Sequence, residues 1–150
     1  GIIPPSVIEM RRRHGLPGMA VLQFGFDDDS PLNPHHPTNL TQDQVVYTGT
    51  HDNDTTMGWW SGATDEQRAR LSEFIQEGEA PNDALIRIAI VSPSSLAILP
   101  LQDIIGAGTE SRMNHPGTVH GNWRWRFEWE ALSSDVWARF AGLVQQRFDE

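Results

Sequence analysis

Three short apolar runs, each ending directly on polar residues, constrain the fold of this chain more than any other feature. Met19 to Phe26 leads into Asp27-Asp28-Asp29, Val45-Val46-Tyr47 into a polar stretch from Thr48, and Leu96 to Leu101 into Gln102-Asp103. Apolar runs of this length, rich in β-branched and aromatic residues, fit strands buried on both faces. Pro100 cannot donate a ladder hydrogen bond, so it belongs at a strand end or a barrel rim. Helical segments lie between the runs, and that alternation predicts an α/β fold built of βα units around a parallel sheet. In such sheets ligands bind where the chain leaves the carboxyl ends of the strands. Three strands cannot close a barrel. An incomplete α/β barrel or a small open sheet is expected, with apolar strand surface left uncovered.

The helical punctuation is local. Pro4 and Pro5 open a helix that runs through Val7, Ile8 and Arg11 to Gly15, ending in basic residues that complement its dipole. Ser30 to Thr41 reads as an irregular surface loop in which His35 and His36 are solvated. Thr64 and Gln67 form a capping box, followed by an apolar face of Leu71, Phe74 and Ile75 that Gly78 closes. Asn82 can cap a helix through Leu85, Ile86, Ala89 and Ile90, although Ile88, Ile90 and Val91 also suit a strand. Thr109 to Trp125 is rich in Gly, Asn and Trp and reads as a functional loop. Ser133 or Ser134 caps a last helix, with Trp137, Phe140, Ala141, Val144 and Phe148 spaced to cover one side of a sheet.

The polar stretch after Val45-Val46-Tyr47 carries the chemistry. Gly49 permits a turn, and His51 and Asp52 then fall at the strand's carboxyl rim. Asp52, Asn53, Asp54 and Thr55 are all helix-capping residue types, and a cap is the simplest account of Asp54 and Thr55. For His51 and Asp52, an adjacent imidazole and carboxylate near Trp59 and Trp60 suit a polar substrate that is gripped and electrostatically stabilised. His35, His36, His51 and Asp52 are competent metal ligands, but their spacing matches no zinc pattern. Asp52-Asn53-Asp54 lacks the distal Glu and the glycine of a calcium loop.

Composition narrows the partners. The 150 residues carry 11 basic and 20 acidic side chains, a net charge of -9, and no basic run longer than Arg11-Arg12-Arg13. Nucleic acid, which needs a concentrated positive footprint, is not an expected partner. No apolar run reaches membrane-span length, and Gly1-Ile2-Ile3-Pro4-Pro5 is not a signal peptide. The chain has no cysteine, which fits a reducing, cytoplasmic setting. Six tryptophans against one tyrosine supply indole faces suited to sugar rings, with Trp129 and Trp137 expected in the core.

Several motifs carry a resemblance. Gly15-Leu16-Pro17-Gly18-Met19, Val21-Leu22-Gln23-Phe24, Asn33-Pro34, Val46 to Thr55, Gly58-Trp59-Trp60, Gln102-Asp103, Arg112-Met113-Asn114, Pro116-Gly117-Thr118 and Gly121 to Arg126 occur in the order found in the amylomaltases. The sequence resembles this 4-alpha-glucanotransferase family over almost its whole length. The resemblance implies an α-retaining transglycosylase that moves an α-1,4-glucan segment to a new 4-hydroxyl acceptor, glucose or glucan. Such chemistry uses a carboxylate nucleophile and a carboxylic acid/base about 5 Å apart. It needs neither metal nor cofactor.

By the same resemblance, Asp52 is a third carboxylate that stabilises the transition state, and His51 binds the same sugar. Phe24 and Asp28 look like substrate contacts at the end of the preceding strand, and Asn114 and Asn122 lie in motifs similar to substrate-facing loops. The family's nucleophile and acid/base both precede the segment matched here. Residues 1-150 are therefore expected to be the C-terminal part of one (β/α)8 TIM barrel, about three parallel strands with covering helices and no second domain, well short of the roughly 250 residues of a whole barrel. Its partners are then a maltooligosaccharide or α-glucan and the missing N-terminal barrel portion. Alone it is expected to be inactive. The rival readings are a non-catalytic glucan-binding module and a piece that acts only after complementation by an N-terminal partner chain.

Overall fold

The computed structural model describes residues 3–148. Three strands, β1 (Gly18–Val21), β2 (Gln44–Tyr47) and β3 (Leu96–Ile98), form one parallel sheet in the order β1-β2-β3. Ala20 pairs with Val46 and Val46 with Ala97, and this row faces the helices. Around it lie α1 (Pro5–Arg13), α2 (Thr56–Gly62), α3 (Asp65–Ser72), α4 (Pro81–Val91), α5 (Leu101–Ile104) and α6 (Ser134–Gln145). Leu22, Phe26, Leu71 and Leu85, none of them accessible to solvent, pack with Ala20 and Val46 into the main core.

The opposite face of the sheet is open. Met19 and Leu96 lie in one register row and are 55% and 51% exposed, while Ile98 in the next row is 41% exposed. Uncovered barrel-facing apolar surface, expected of so few strands, is present. Among the described residues no helix is long and apolar enough to cross a membrane.

Several boundaries differ from expectation for packing reasons. The first apolar run is extended only to Val21. Leu22–Phe26 winds into a 3-10 turn that buries Leu22, Gln23 and Phe26 together. Gly25 belongs there because a Cβ would stand 2.5 Å from the His35 carbonyl oxygen. The third strand stops at Ile98, and Pro100 caps α5. The ambiguous isoleucine-rich segment is helical and almost wholly buried in α4. Asn82 does not cap it. Pro81 takes the first helical position, Ala80 precedes it, and the Asn82 amide turns inward to the carbonyl of Asp103 at 2.9 Å. The capping box of Thr64 and Gln67 forms as expected, but α3 ends at Ser72, so Phe74 and Ile75 reach the core from the turn beyond it.

His35 and His36 are structural rather than solvated. His35 Nδ1 accepts from the Val21 N–H at 3.1 Å, and the His36 ring packs edge-on against Phe74. Trp129 and Trp137 are not core residues, being 75% and 49% exposed. The α6 helix, capped by Ser133, does not cover the sheet. Leu143, Phe140 and Val144 pack on Ile86 and Ile90 of α4, and Phe148 lies exposed past the helix end.

Candidate functional site

The loop from Gly49 to Thr55 joins the carboxyl end of β2 to α2, and its own side chains shape it. Asn53 Oδ1 accepts from the Thr50 N–H at 3.0 Å and from the Thr50 hydroxyl at 2.7 Å, and the Asn53 N–H returns to the Thr50 carbonyl at 3.1 Å. Thr55 caps α2 by accepting from the Gly58 N–H at 3.0 Å. Asp54 is a local brace: Oδ1 accepts from the Thr55 N–H at 2.8 Å and Oδ2 from the Thr109 hydroxyl at 2.9 Å. Gln23, in the 3-10 turn after β1, donates to the Asp54 carbonyl at 2.9 Å. This turn therefore projects His51 and Asp52 outward, and both side chains are about half exposed, at 54% and 51%.

His51 Nε2 lies 3.4 Å from Asp52 Oδ1. The Asn114 amide donates to the same oxygen at 2.6 Å. Both contacts fall on Oδ1, and Oδ2 has no partner among the described residues. Arg112 spans the two loops, donating through Nε to the Asn114 carbonyl at 2.8 Å and through an Nη to the Asp52 carbonyl at 2.7 Å. A planar guanidinium suits this two-pronged grip. Trp123 sets its indole 5.1 Å from the His51 ring. Its φ of 61° is the one positive value at a non-glycine among the described residues, held by a bond of 2.7 Å from its N–H to the Met113 carbonyl.

The expected site residues separate into two groups. Phe24 and Asp52 line one open cleft of about 630 Å³, with Trp59 and Arg112, and His51 and Asn114 adjoin Asp52. Asp28 and Asn122 also brace their own loops: Asp28 Oδ1 accepts from the Ser30 N–H and the Asn33 amide, while Asn122 bonds the His115 N–H and Thr118. Arg112 and Trp123 are site neighbours that sequence reasoning does not single out, although both sit inside motifs flanking Asn114 and Asn122. Among the described residues no group of three or more His, Cys, Asp or Glu side chains could hold a metal ion.

A parallel sheet with an open cleft at the carboxyl ends of its strands defines an α/β protein of the kind that binds ligands at that edge. A family model described as 4-alpha-glucanotransferase matches residues 1–133, and the chain belongs to that family. It is 47% identical to the chloroplastic/amyloplastic 4-alpha-glucanotransferase of Solanum tuberosum, over 84% of this chain and 22% of that protein. It is 42% identical to the 4-alpha-glucanotransferase of Thermus thermophilus, over 97% of this chain and 31% of that protein. The structure superposes on an amylomaltase from Streptococcus agalactiae, solved in complex with acarbose, with a TM-score of 0.93 and 31% identity, covering 98% of this chain and 30% of that one. The chain thus spans between about a fifth and a third of the length of these relatives.

Proposed function

We propose that this chain forms the C-terminal part of the single barrel of a retaining 4-alpha-glucanotransferase acting on maltooligosaccharides. The observation that carries the reading is the held carboxylate: Asp52 Oδ1 is engaged by Asn114 and approached by His51, and Oδ2 is left for a ligand. In the proposed reaction an upstream carboxylate displaces the leaving glucan from the anomeric carbon while an upstream acid protonates the departing oxygen. The acceptor's 4-hydroxyl then attacks the glycosyl intermediate as the same group takes its proton. Asp52 accepts hydrogen bonds from the donor sugar's hydroxyls, which become better donors as the ring gains oxocarbenium character. His51 binds the same sugar, and Phe24 offers an aromatic surface beside it.

No acid in this chain takes the nucleophile or acid/base role. The open sheet face with Met19, Leu96 and Ile98 is filled, in this reading, by the rest of the barrel, whose interior is packed with such side chains. The test is maltotriose disproportionation, followed as glucose release and longer-oligomer formation, by the 150-residue chain and by the full-length protein containing it, each with and without Asp52→Asn. Activity in the full-length protein that collapses with Asp52→Asn, and none in the isolated chain, is the expected result. Turnover by the isolated chain, or full activity in Asp52→Asn, sinks the assignment.

A further inference from the structure

Asp103 has no part in the reaction just described, yet it is the most deeply buried carboxylate among the described residues, at 1% exposure. A buried carboxylate is costly unless donors meet it. Here Oδ2 accepts from the Thr48 hydroxyl at 2.5 Å and Oδ1 from the Thr56 N–H at 2.7 Å. Those donors stand 55 and 47 positions from it in sequence. They also bracket the site, because Thr48 directly follows β2, Thr56 opens α2, and the residues between them carry His51 and Asp52.

One rigid, planar group therefore holds both ends of the loop, so the ends cannot shift independently. Asp103 is itself rooted, since its carbonyl accepts from the buried Asn82 amide of α4 at 2.9 Å. The loop's other side-chain ties, to Gln23, Thr109, Arg112 and Asn114, reach Asp52 or Asp54. The backbone N–H of Gln23 steadies the Thr48 end by donating to its carbonyl at 3.3 Å, so Asp103 is the one side chain among these that reaches both ends. Burial, with a smaller push from the Asp54 carboxylate, raises the Asp103 carboxyl above its ordinary range, and the Thr48 and Thr56 bonds pull against it.

We propose that Asp103 is a positioning residue that locks both ends of the His51-Asp52 loop in register and so sets where Asp52 meets the sugar; this rests on the proposed glucan transfer. The test uses the full-length protein with Thr48→Val, which removes one donor at nearly constant volume, and Thr48→Ser, which restores it. Maltotriose kinetics are read beside hydrogen exchange of the amides from Thr50 to Thr56 and of those in α4. A slight misplacement of a group acting mainly in the transition state lowers kcat more than it raises KM.

The expected result for Thr48→Val is a loss of roughly tenfold in kcat with KM within about twofold, and faster exchange confined to the loop. Thr48→Ser should recover both. Should Thr48→Val fail to fold, Asp103→Asn, which keeps an acceptor for the Thr56 N–H, is read by the same two measures. Unchanged kcat, or faster exchange spread equally over α4, overturns the clamp. Wild-type protein that transfers no glucan overturns the function instead, and the exchange pattern still decides the clamp.

Discussion

The side-chain amide of Asn114 donates to Oδ1 of Asp52 across 2.6 Å, joining two loops 62 positions apart in sequence. A neutral donor on one carboxylate oxygen orients the other without cancelling its charge. Asn114→Ala in the full-length protein is expected to lower kcat for maltotriose by roughly tenfold. Asn114→Asp should lower it further, because a second carboxylate repels Asp52 where the amide attracted it. A raised KM with unchanged kcat would instead show that Asn114 touches the substrate and leaves Asp52 alone.

Gly58 stands where α2 crosses the Asp54-Thr109 hydrogen bond. A Cβ there would lie 2.3 Å from the Thr109 hydroxyl and 2.4 Å from Asp54 Oδ1. Gly58→Ala should cost about 1–3 kcal/mol, as overpacking does, and loosen the loop below it. At Gly62, in the same helix, a Cβ would meet nothing within 4 Å. Gly62→Ala should stabilise by about 0.5–1 kcal/mol, since alanine loses less entropy on becoming helical. Thermal melting of the two variants checks both signs.

His35 makes stability sensitive to mild acid. Burial holds its pKa below the ordinary 6.5, against a smaller opposing pull from Asp27, and the unprotonated Nδ1 is the acceptor for the Val21 N–H. Above the ordinary value both folded and unfolded states are neutral and this contribution is complete. As pH falls through 6.5 the unfolded chain takes up a proton that the folded chain resists, so stability declines. Urea midpoints measured at about pH 7.5 and about pH 5.5, on either side of that value, should differ less in His35→Asn, whose amide oxygen still accepts but does not titrate. Equal pH dependence in the two proteins would rule His35 out as the source.

Glu79 and Arg87 form a paired bond, both distances 2.7 Å, between side chains only 10% and 12% exposed. Arg87→Ala leaves a carboxylate buried without its partner, and is expected to cost about 3–5 kcal/mol in a denaturant titration. Burial alone would raise the Glu79 pKa, but the Arg87 bonds and the Gln76 N–H outweigh it and hold the group below its ordinary 4.5. Its stabilisation is therefore full above that value and is lost as pH falls through the lower folded value. Arg87→Ala should melt with a shallower acid dependence than the wild type.

What depends on neighbours along the chain is legible in the sequence itself. Apolar runs locate β1, β2 and β3, because a buried strand needs only a few adjacent apolar side chains. The Thr64-Gln67 box and the Thr55 cap are bonds across three positions, so residue type and spacing suffice to place them. His51 and Asp52 stand out for the same reason, as polar residues directly after a strand. The roles proposed for them come from a family resemblance, since spacing alone leaves a turn, a metal site and a sugar site open.

Tertiary structure decided the rest. Leu22 to Phe26 leaves the strand for a 3-10 turn in which Gly25 lies so near the His35 backbone that a Cβ would not fit, a closeness no local pattern encodes. Trp129 and Trp137 are exposed because hydrophobicity says only what burial would gain, whereas the neighbours present determine whether it happens. Asp28 and Asn122 bond within their own loops, while Asp103, Arg112 and Asn114 reach the site from 47, 60 and 62 positions away. A strand, a cap or a turn is specified by its own few residues. The hold on Asp52 is made by side chains that meet only once β2, α2, α5 and the loop after it have packed, and that meeting is a property of the whole fold.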